Sequence, residues 1–183
     1  YVSGKNLTIN IMTVKDLNPS EFNPYYNAYI DLIPKELELL EGFHLGLKNV
    51  TDFFNSISKE KLTYKYAENK WTVLEILQHI IDTERIFMYR CLRMARHDKT
   101  PLAGFDENDY INPSLANNKS IELLLEEYRA GRQNFIVLLK SISETDLKFI
   151  GTANGSTLSA RSAAFIILGH ELWHTKIIKE RYL

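Results

Sequence analysis

The sequence predicts an all-α fold on three observations. Four long stretches repeat apolar residues with a helical period, three of them open on recognisable start signals, and the one strand signal is a short segment around Asn154-Gly155. With 183 residues the chain fits a single domain of ordinary size, large enough for a substantial core without disulfides. A content of 45% hydrophobic and 25% charged residues is that of a globular protein. Lysine plus arginine (22) nearly balances aspartate plus glutamate (23), for a formal charge of -1, so no basic field draws the chain to nucleic acid or to an anionic membrane. No run approaches the ~20 apolar residues that span a bilayer.

The start, YVSGKNLTINIMTVKDL, has neither a basic n-region with a long apolar core nor a cleavage site, so no secretory signal is read. Met12 fits a natural start with residues 1–11 as upstream sequence, and those residues enter no functional expectation. An extended, proline-interrupted arm with Pro19 and Pro24 follows. Pro34 then sits where a first-turn proline is tolerated, ahead of a first helix running to about Ile57. Leu37, Leu40, Leu47, Val50 and Phe54 form its stripe, with His44 between Leu40 and Leu47 on the same side.

After the polar connection Ser58–Lys70, Thr72 and Glu75 have the spacing of a capping box and start the second helix, which runs to about Arg96. At about 100° per residue, Ile76, Ile80, Phe87 and Cys91 share one apolar side, while Glu75, His79, Asp82 and Ile86 form a strip along its edge. His79 therefore looks inward with carboxylates beside it. Cys91 is the sole cysteine, which rules out an intramolecular disulfide, suits a reducing cytoplasm and reads as a small buried hydrophobe.

The segment HDKTPLAGFDENDYINPS is a long loop, with Asp106, Glu107 and Asp109 bringing acidic groups and Phe105 and Tyr110 bringing anchors. His97 at the helix exit is expected in solvent or capping carbonyls. Ser120 caps a third helix, Ile121–Ser141, whose stripe is Leu124, Tyr128, Phe135 and Leu138 and which carries no metal-ligand pattern. TANGSTLSA reads as a turn or short hairpin. A fourth helix runs from about Ala160 to Glu180 and carries His170 and His174 four residues apart, on a face shared with Ala163, Ile166, Ile167, Trp173 and Ile177.

Two imidazoles at i and i+4 can bind one metal ion, and His79 would complete a set of three with one position left open. The alternative is a buried group of structural histidines, which must find partners of their own.

Trp71, then His79 and Asp82, then Gly169-His170 and His174, together with KWTVLEILQHIIDTERIF, DKTPLAGFDEN, TANGSTLSARSAAF and GHELWHTKIIKERYL in that order, resemble the DinB/YfiT-like superfamily. The resemblance spans the chain from about Leu32, which makes residues 1–31 an N-terminal arm and residues 32–183 the domain. It implies a four-helix bundle with a divalent metal, zinc or nickel, held by His79, His170 and His174, and it suggests a homodimer. Phe165, Leu168 and Leu172, opposite the histidines, agree with a helix that is either central or covered by a second subunit.

Two functions follow. In the first, the protein is a metal-dependent enzyme for a small-molecule substrate, in which water (a hydrolase) or a low-molecular-weight thiol (a transferase) attacks, with Asp82 and Glu75 orienting ligand rings or moving protons. In the second, it is a non-catalytic, metal-stabilised binding or stress-response module with a fourth protein ligand closing the site.

Overall fold

A computed structural model describes residues 12–183. Expectations that fall on residues 1–11 lie outside the described residues. The bundle consists of α2 (Leu39–Asn55), α4 (Val73–Ala95), α6 (Ile121–Lys140) and α8 (Ala160–Arg181). Shorter pieces surround it: α1 (Asn27–Ile30), α3 (Lys59–Leu62), α5 (Asn108–Ser114), α7 (Glu144–Leu147), and a hairpin of β1 (Ile150–Ala153) and β2 (Ser156–Ser159). Helices α2 and α4 each pack on both α6 and α8, so α2 faces α4 across the bundle and α6 faces α8. No described helix is long and apolar enough to cross a membrane.

The expected start signals operate. Thr72 Oγ1 accepts from the Glu75 amide at 3.2 Å while Glu75 Oε2 accepts from the Thr72 amide at 2.7 Å, which satisfies two first-turn donors of α4 reciprocally. Ser120 Oγ accepts from the Leu123 amide at 3.2 Å and starts α6. In the hairpin, Asn154 (φ 51°) and Gly155 (φ 70°) both take the left-handed conformation of a type I′ turn, whose twist matches that of paired strands.

Three expectations are corrected. The first long helix begins at Leu39 rather than at Pro34, because Pro34 opens a turn closed by the Leu37 amide on its carbonyl, and the Leu39 amide bonds instead to the Met12 carbonyl. The arm is a chain of capped helical turns rather than extended: Asn18 before Pro19 and Asn23 before Pro24 each accept from an amide two residues on, and proline supplies the first helical φ. The connection after α4 is not all loop, since α5 occupies its end behind an Asp106 side chain that accepts from the Asn108 amide at 2.9 Å. The arm is also integral to the bundle. Its Glu21 is buried and held by Arg161, with Ser159 donating to the same carboxylate at 2.7 Å.

Helix α8 is buried around its whole circumference from Ala160 to Glu171. Phe165 and Leu168 are covered within the chain itself, while Leu172, on the same face, is exposed.

The core falls into two apolar clusters. One is built on Phe43, Phe87, Met94, Phe135 and Phe165, the other on Phe54, Ile76, Leu77, Leu124, Tyr128 and Ile178. Between them lies a polar belt. Arg132, fully buried on α6, donates from Nε and Nη2 to the two oxygens of Glu84 at 2.8 and 2.9 Å and from Nη2 to Glu171 at 2.6 Å. The Tyr128 hydroxyl donates to Glu171 at 3.0 Å. Burial alone would depress the basicity of Arg132, but Glu171 and Glu84 raise it well above its ordinary value. Helix α2 can pass close to this group because residue 46 is glycine: a Cβ there would stand 2.2 Å from Glu171 Oε1 and 2.7 Å from Arg132 Nη1.

Removing one partner of a buried ion pair leaves the other charge stranded, which costs about 3–5 kcal/mol. Arg132→Met is therefore expected to lower stability by about that much, and adding Glu84→Gln and Glu171→Gln to recover a large part of the loss. Urea unfolding at pH 7.5 measures both; a triple variant no more stable than the single one would contradict the assignment of the loss to stranded charge.

Candidate metal centre

The second and fourth bundle helices pack along each other, and that packing brings His79 of α4 against His170 and His174 of α8. His170 Nε2 lies 2.9 Å from His79 Nε2 and 3.0 Å from His174 Nε2. One ligand nitrogen from each ring falls within 4.8 Å of the others, and among the described residues no further His, Cys, Asp or Glu joins the group. Trp71 packs on the His79 ring at 4.7 Å and Tyr29 of the arm meets His170 edge-on at 5.4 Å. The arm seats this closely because residue 169 is glycine, where a Cβ would stand 2.3 Å from the Tyr29 carbonyl oxygen.

Burial sets the charge of the group. Desolvation lowers the pKa of His79 to about 4 and, with the neighbouring His79 adding repulsion, that of His174 to about 3. His170 is pushed well below its ordinary value, first by burial and then by its two neighbours. At neutral pH all three rings are uncharged, with lone pairs available. Three neutral imidazole nitrogens facing one point suit a borderline divalent ion such as zinc or nickel. They fit poorly as a self-contained hydrogen-bond group, because His170 Nε2 meets two other ring nitrogens and can carry only one proton.

His79 and His170 also line a cavity of about 290 Å³. Its other walls come from parts outside the bundle: Tyr26 and Tyr29 of the arm, Phe105 and Glu107 of the connection after α4, and Asn154 of the hairpin. The connection is pinned to the hairpin by Leu102, whose amide donates to the Thr152 carbonyl and whose carbonyl accepts from the Asn154 amide, both at 2.9 Å.

The other expected residues fall elsewhere. Both oxygens of Glu75 are engaged, one by its cap and the other by Asn117 at 2.8 Å. Asp82 borders a small cavity beside His79, but its carboxylate accepts from Gln78 at 3.0 Å and from Arg85 at 3.1 Å. Neither hydrogen-bonds a ring of the trio. His44 is exposed and is not a fourth ligand, because the stripe of α2 centres on Phe43 and Gly46 instead. His97 is exposed, as expected, at the exit of α4, where its backbone is left-handed (φ 58°) and its ring stacks on Phe149 at 4.5 Å with Nε2 2.8 Å from Asp146. Cys91 is fully buried and its thiol is pushed up to about 12 by desolvation. Of the three loop carboxylates, Glu107 alone reaches the cavity.

Fold and site together define a class, the four-helix bundle proteins with three histidines gathered at one side of the core. The chain belongs to the DinB superfamily, whose family model matches residues 43–178. It is 25% identical over 158 residues to a protein of Oceanobacillus iheyensis named "Putative metal-dependent hydrolase OB0413", a match covering 80% of this chain and 88% of that one. A protein of Geobacillus thermodenitrificans with the same functional name is 22% identical over 120 residues, which cover 66% of each chain. Among solved structures, YfiT from Bacillus subtilis, described as "a probable metal-dependent hydrolase with an unusual four-helix bundle topology", superposes with a TM-score of 0.67 at 15% identity, over 90% of this chain and 89% of that one.

The trio makes the metal-free protein acid-labile in a defined window. Each ring is neutral when folded but takes up a proton near pH 6.5 when unfolded, so the unfolded state binds more protons and stability falls as pH falls. The loss begins near 6.5 and continues to about 4 for His79 and about 3 for His174, at up to ~1.4 kcal/mol per pH unit for each ring. Urea melts of chelator-treated protein between pH 7.5 and 4.5 are expected to show a steeper decline than those of a His79→Gln, His170→Gln, His174→Gln variant. Parallel declines would contradict the assignment.

Proposed function

We propose that the protein is a metal-dependent hydrolase of a small molecule, with His79, His170 and His174 as the protein ligands of one zinc- or nickel-like ion. The carrying observation is that two of the three gathered histidines, His79 and His170, line a cavity large enough for a substrate, rather than being sealed in the core. A closed structural site takes four protein ligands, whereas a catalytic one keeps a position open, and the group here stops at three among the described residues. The names of the Oceanobacillus and Geobacillus relatives and the description of YfiT support the same reading.

When bound, such an ion supplies Lewis acidity and brings the pKa of water near neutrality. The chain's own residues do the rest. Glu107 provides the one carboxylate on the cavity wall and also borders the small cavity beside His79, which places it to accept the proton of the attacking water and return it to the leaving group. Tyr26, Tyr29 and Phe105 exclude bulk water. Trp71 and Tyr29 fix the His79 and His170 rings by packing, the role that carboxylates play where they hydrogen-bond a ligand ring.

Two outcomes test this. Protein purified without a histidine tag is expected to carry about one divalent ion per chain, and the His170→Ala, His174→Ala variant to carry none; equal metal content in the two would refute the ligand assignment. With 4-nitrophenyl acetate as probe, Glu107→Gln is expected to reduce turnover by about 10²–10⁴-fold at unchanged metal content. Running the assay with and without 2-mercaptoethanol separates the readings: turnover only in the presence of thiol would replace the hydrolase with a transferase, and unchanged turnover in Glu107→Gln would remove that residue from the mechanism.

A further inference from the structure

Arg90 is a buried cation with no acidic partner among the described residues. It is 3% exposed, its Nη2 donates to the Ala103 carbonyl at 3.1 Å, and its guanidinium lies over the Phe87 and Phe105 rings at 4.9 and 5.6 Å. The groups felt most by its charge are the apolar surroundings that desolvate it, which lower its pKa, and the Tyr26 hydroxyl. The chain's other two buried arginines are treated differently, since Arg132 is held by Glu84 and Glu171 and Arg161 by Glu21. A buried charge without a counter-charge is costly and calls for an explanation.

The explanation lies in what Arg90 faces. It lines the same cavity as His79 and His170. His79, Thr83, Phe87 and Arg90 follow one another at intervals of four, four and three along α4, so they form one stripe, and all four line that cavity. At ~1.5 Å of rise per residue the Cα atoms of His79 and Arg90 are ~16 Å apart, which makes the cavity a slot with ring nitrogens at one end and a guanidinium at the other. Thr83 lies between them, 5% exposed, and its buried hydroxyl has no hydrogen-bond partner. A cation lacking an anion and a hydroxyl lacking a partner, both on residues that line one cavity, describe the molecule that would complete them.

We propose that the substrate carries a carboxylate that pairs with Arg90, a flat apolar stem lying against Phe87 and Phe105, and its reacting group at the histidine end, with a polar atom of the substrate bonded to Thr83. This rests on the hydrolase reading and adds the substrate class to it. A carboxylate suits the slot better than a phosphate. One guanidinium nitrogen is already committed to Ala103, leaving a single cation to match a single negative charge, and the other charged group on the wall is Glu107, which disfavours a dianion.

The test uses calorimetric titration of chelator-treated protein, in which no ion can capture the acid, with 5-phenylpentanoate and its neutral amide as probes at pH 7.5. The acid is expected to bind about 10–100-fold more tightly than the amide, the range a charge-assisted hydrogen-bonded pair supplies. In Arg90→Gln the two probes should come within about threefold of each other, with Arg90→Lys intermediate. Circular dichroism establishes that the variants are folded; should Arg90→Gln fail to fold, the wild-type acid and amide pair still decides. No binding of the acid, equal affinity for acid and amide, or an acid preference surviving in Arg90→Gln would each overturn the proposal, and so would tighter binding of 5-phenylpentylphosphonate. Metal content measured on each preparation before chelator treatment separates the two readings. An Arg90-dependent preference in protein that was purified without any divalent ion leaves this inference standing and the metal reading fallen, and protein that was purified with the ion but lacks the preference after chelation does the reverse.

Discussion

Two neighbouring residues at the middle of α8, His170 and Glu171, are both buried and need opposite surroundings. The ring must stay neutral with its nitrogen towards the other histidines, while the carboxylate needs a cation and donors. About 100° of helix separates them, so each can have its own environment only if different elements cover the two sides. Helix α4 serves both sides, with His79 for the ring and Glu84 for the ion group five residues later. Helix α6 supplies Arg132 and Tyr128, and α2 closes over them at Gly46. On the histidine side the arm takes the place of a fifth helix, with Tyr29 lying on Gly169 and against His170. Each close approach follows from the need to cover those two residues.

The bundle and the cavity are built by different means. The two apolar clusters are held by side chains on helical stripes, each fully buried one contributing about 1.5–3 kcal/mol, and they fix the helices that carry the histidines. The cavity has α4 and α8 on one side only. Its remaining walls are the arm, the connection after α4 and the hairpin, fastened by a few backbone bonds such as those of Leu102 and by the buried Glu21–Arg161 pair. The histidines therefore sit on the bundle helices, while the cavity beside them is closed largely by the attached parts.

How much of this was legible in the sequence follows from which signals are local. The Thr72 and Ser120 caps, the Asn154-Gly155 turn and the spacing of His170 and His174 are local, and all four take the expected form. Pairing His79 with that couple across ninety-one residues rested on its inward helical side and was strengthened by the family resemblance, and the structure brings the three together. The ion group was missed, although a signal for it exists. Glu84 stands on the stripe of Leu77, Ile80, Phe87 and Cys91, and Arg132 on that of Leu124, Tyr128, Phe135 and Leu139, so opposite charges occupy core positions of two helices. Expecting Glu75 and Asp82 at the rings was a matter of helical side without reach, since a nearer partner claims each carboxylate first. The arm and the first long helix misled because Asn-Pro and Pro-Lys steps open either extended chain or a helical turn, and only the packing of Met12 and Glu21 decides which.

The same division bears on what the relatives can say. At 15% identity YfiT keeps the topology over 90% of this chain, and a bundle needs only apolar stripes of suitable volume to do so. The cavity walls are less constrained where they are not core, as at Phe105 and Glu107, since a changed side chain there alters what fits beside the histidines without belonging to either core cluster. Arg90 belongs to both worlds. It is anchored on α4 three residues beyond the core residue Phe87, yet its guanidinium is spent on the cavity rather than on an ion pair within the fold. A buried cation without an ion pair among the described residues is what the proposed substrate carboxylate would account for. Selectivity among relatives that share the three histidines should accordingly be sought in the residues that line the slot beyond them.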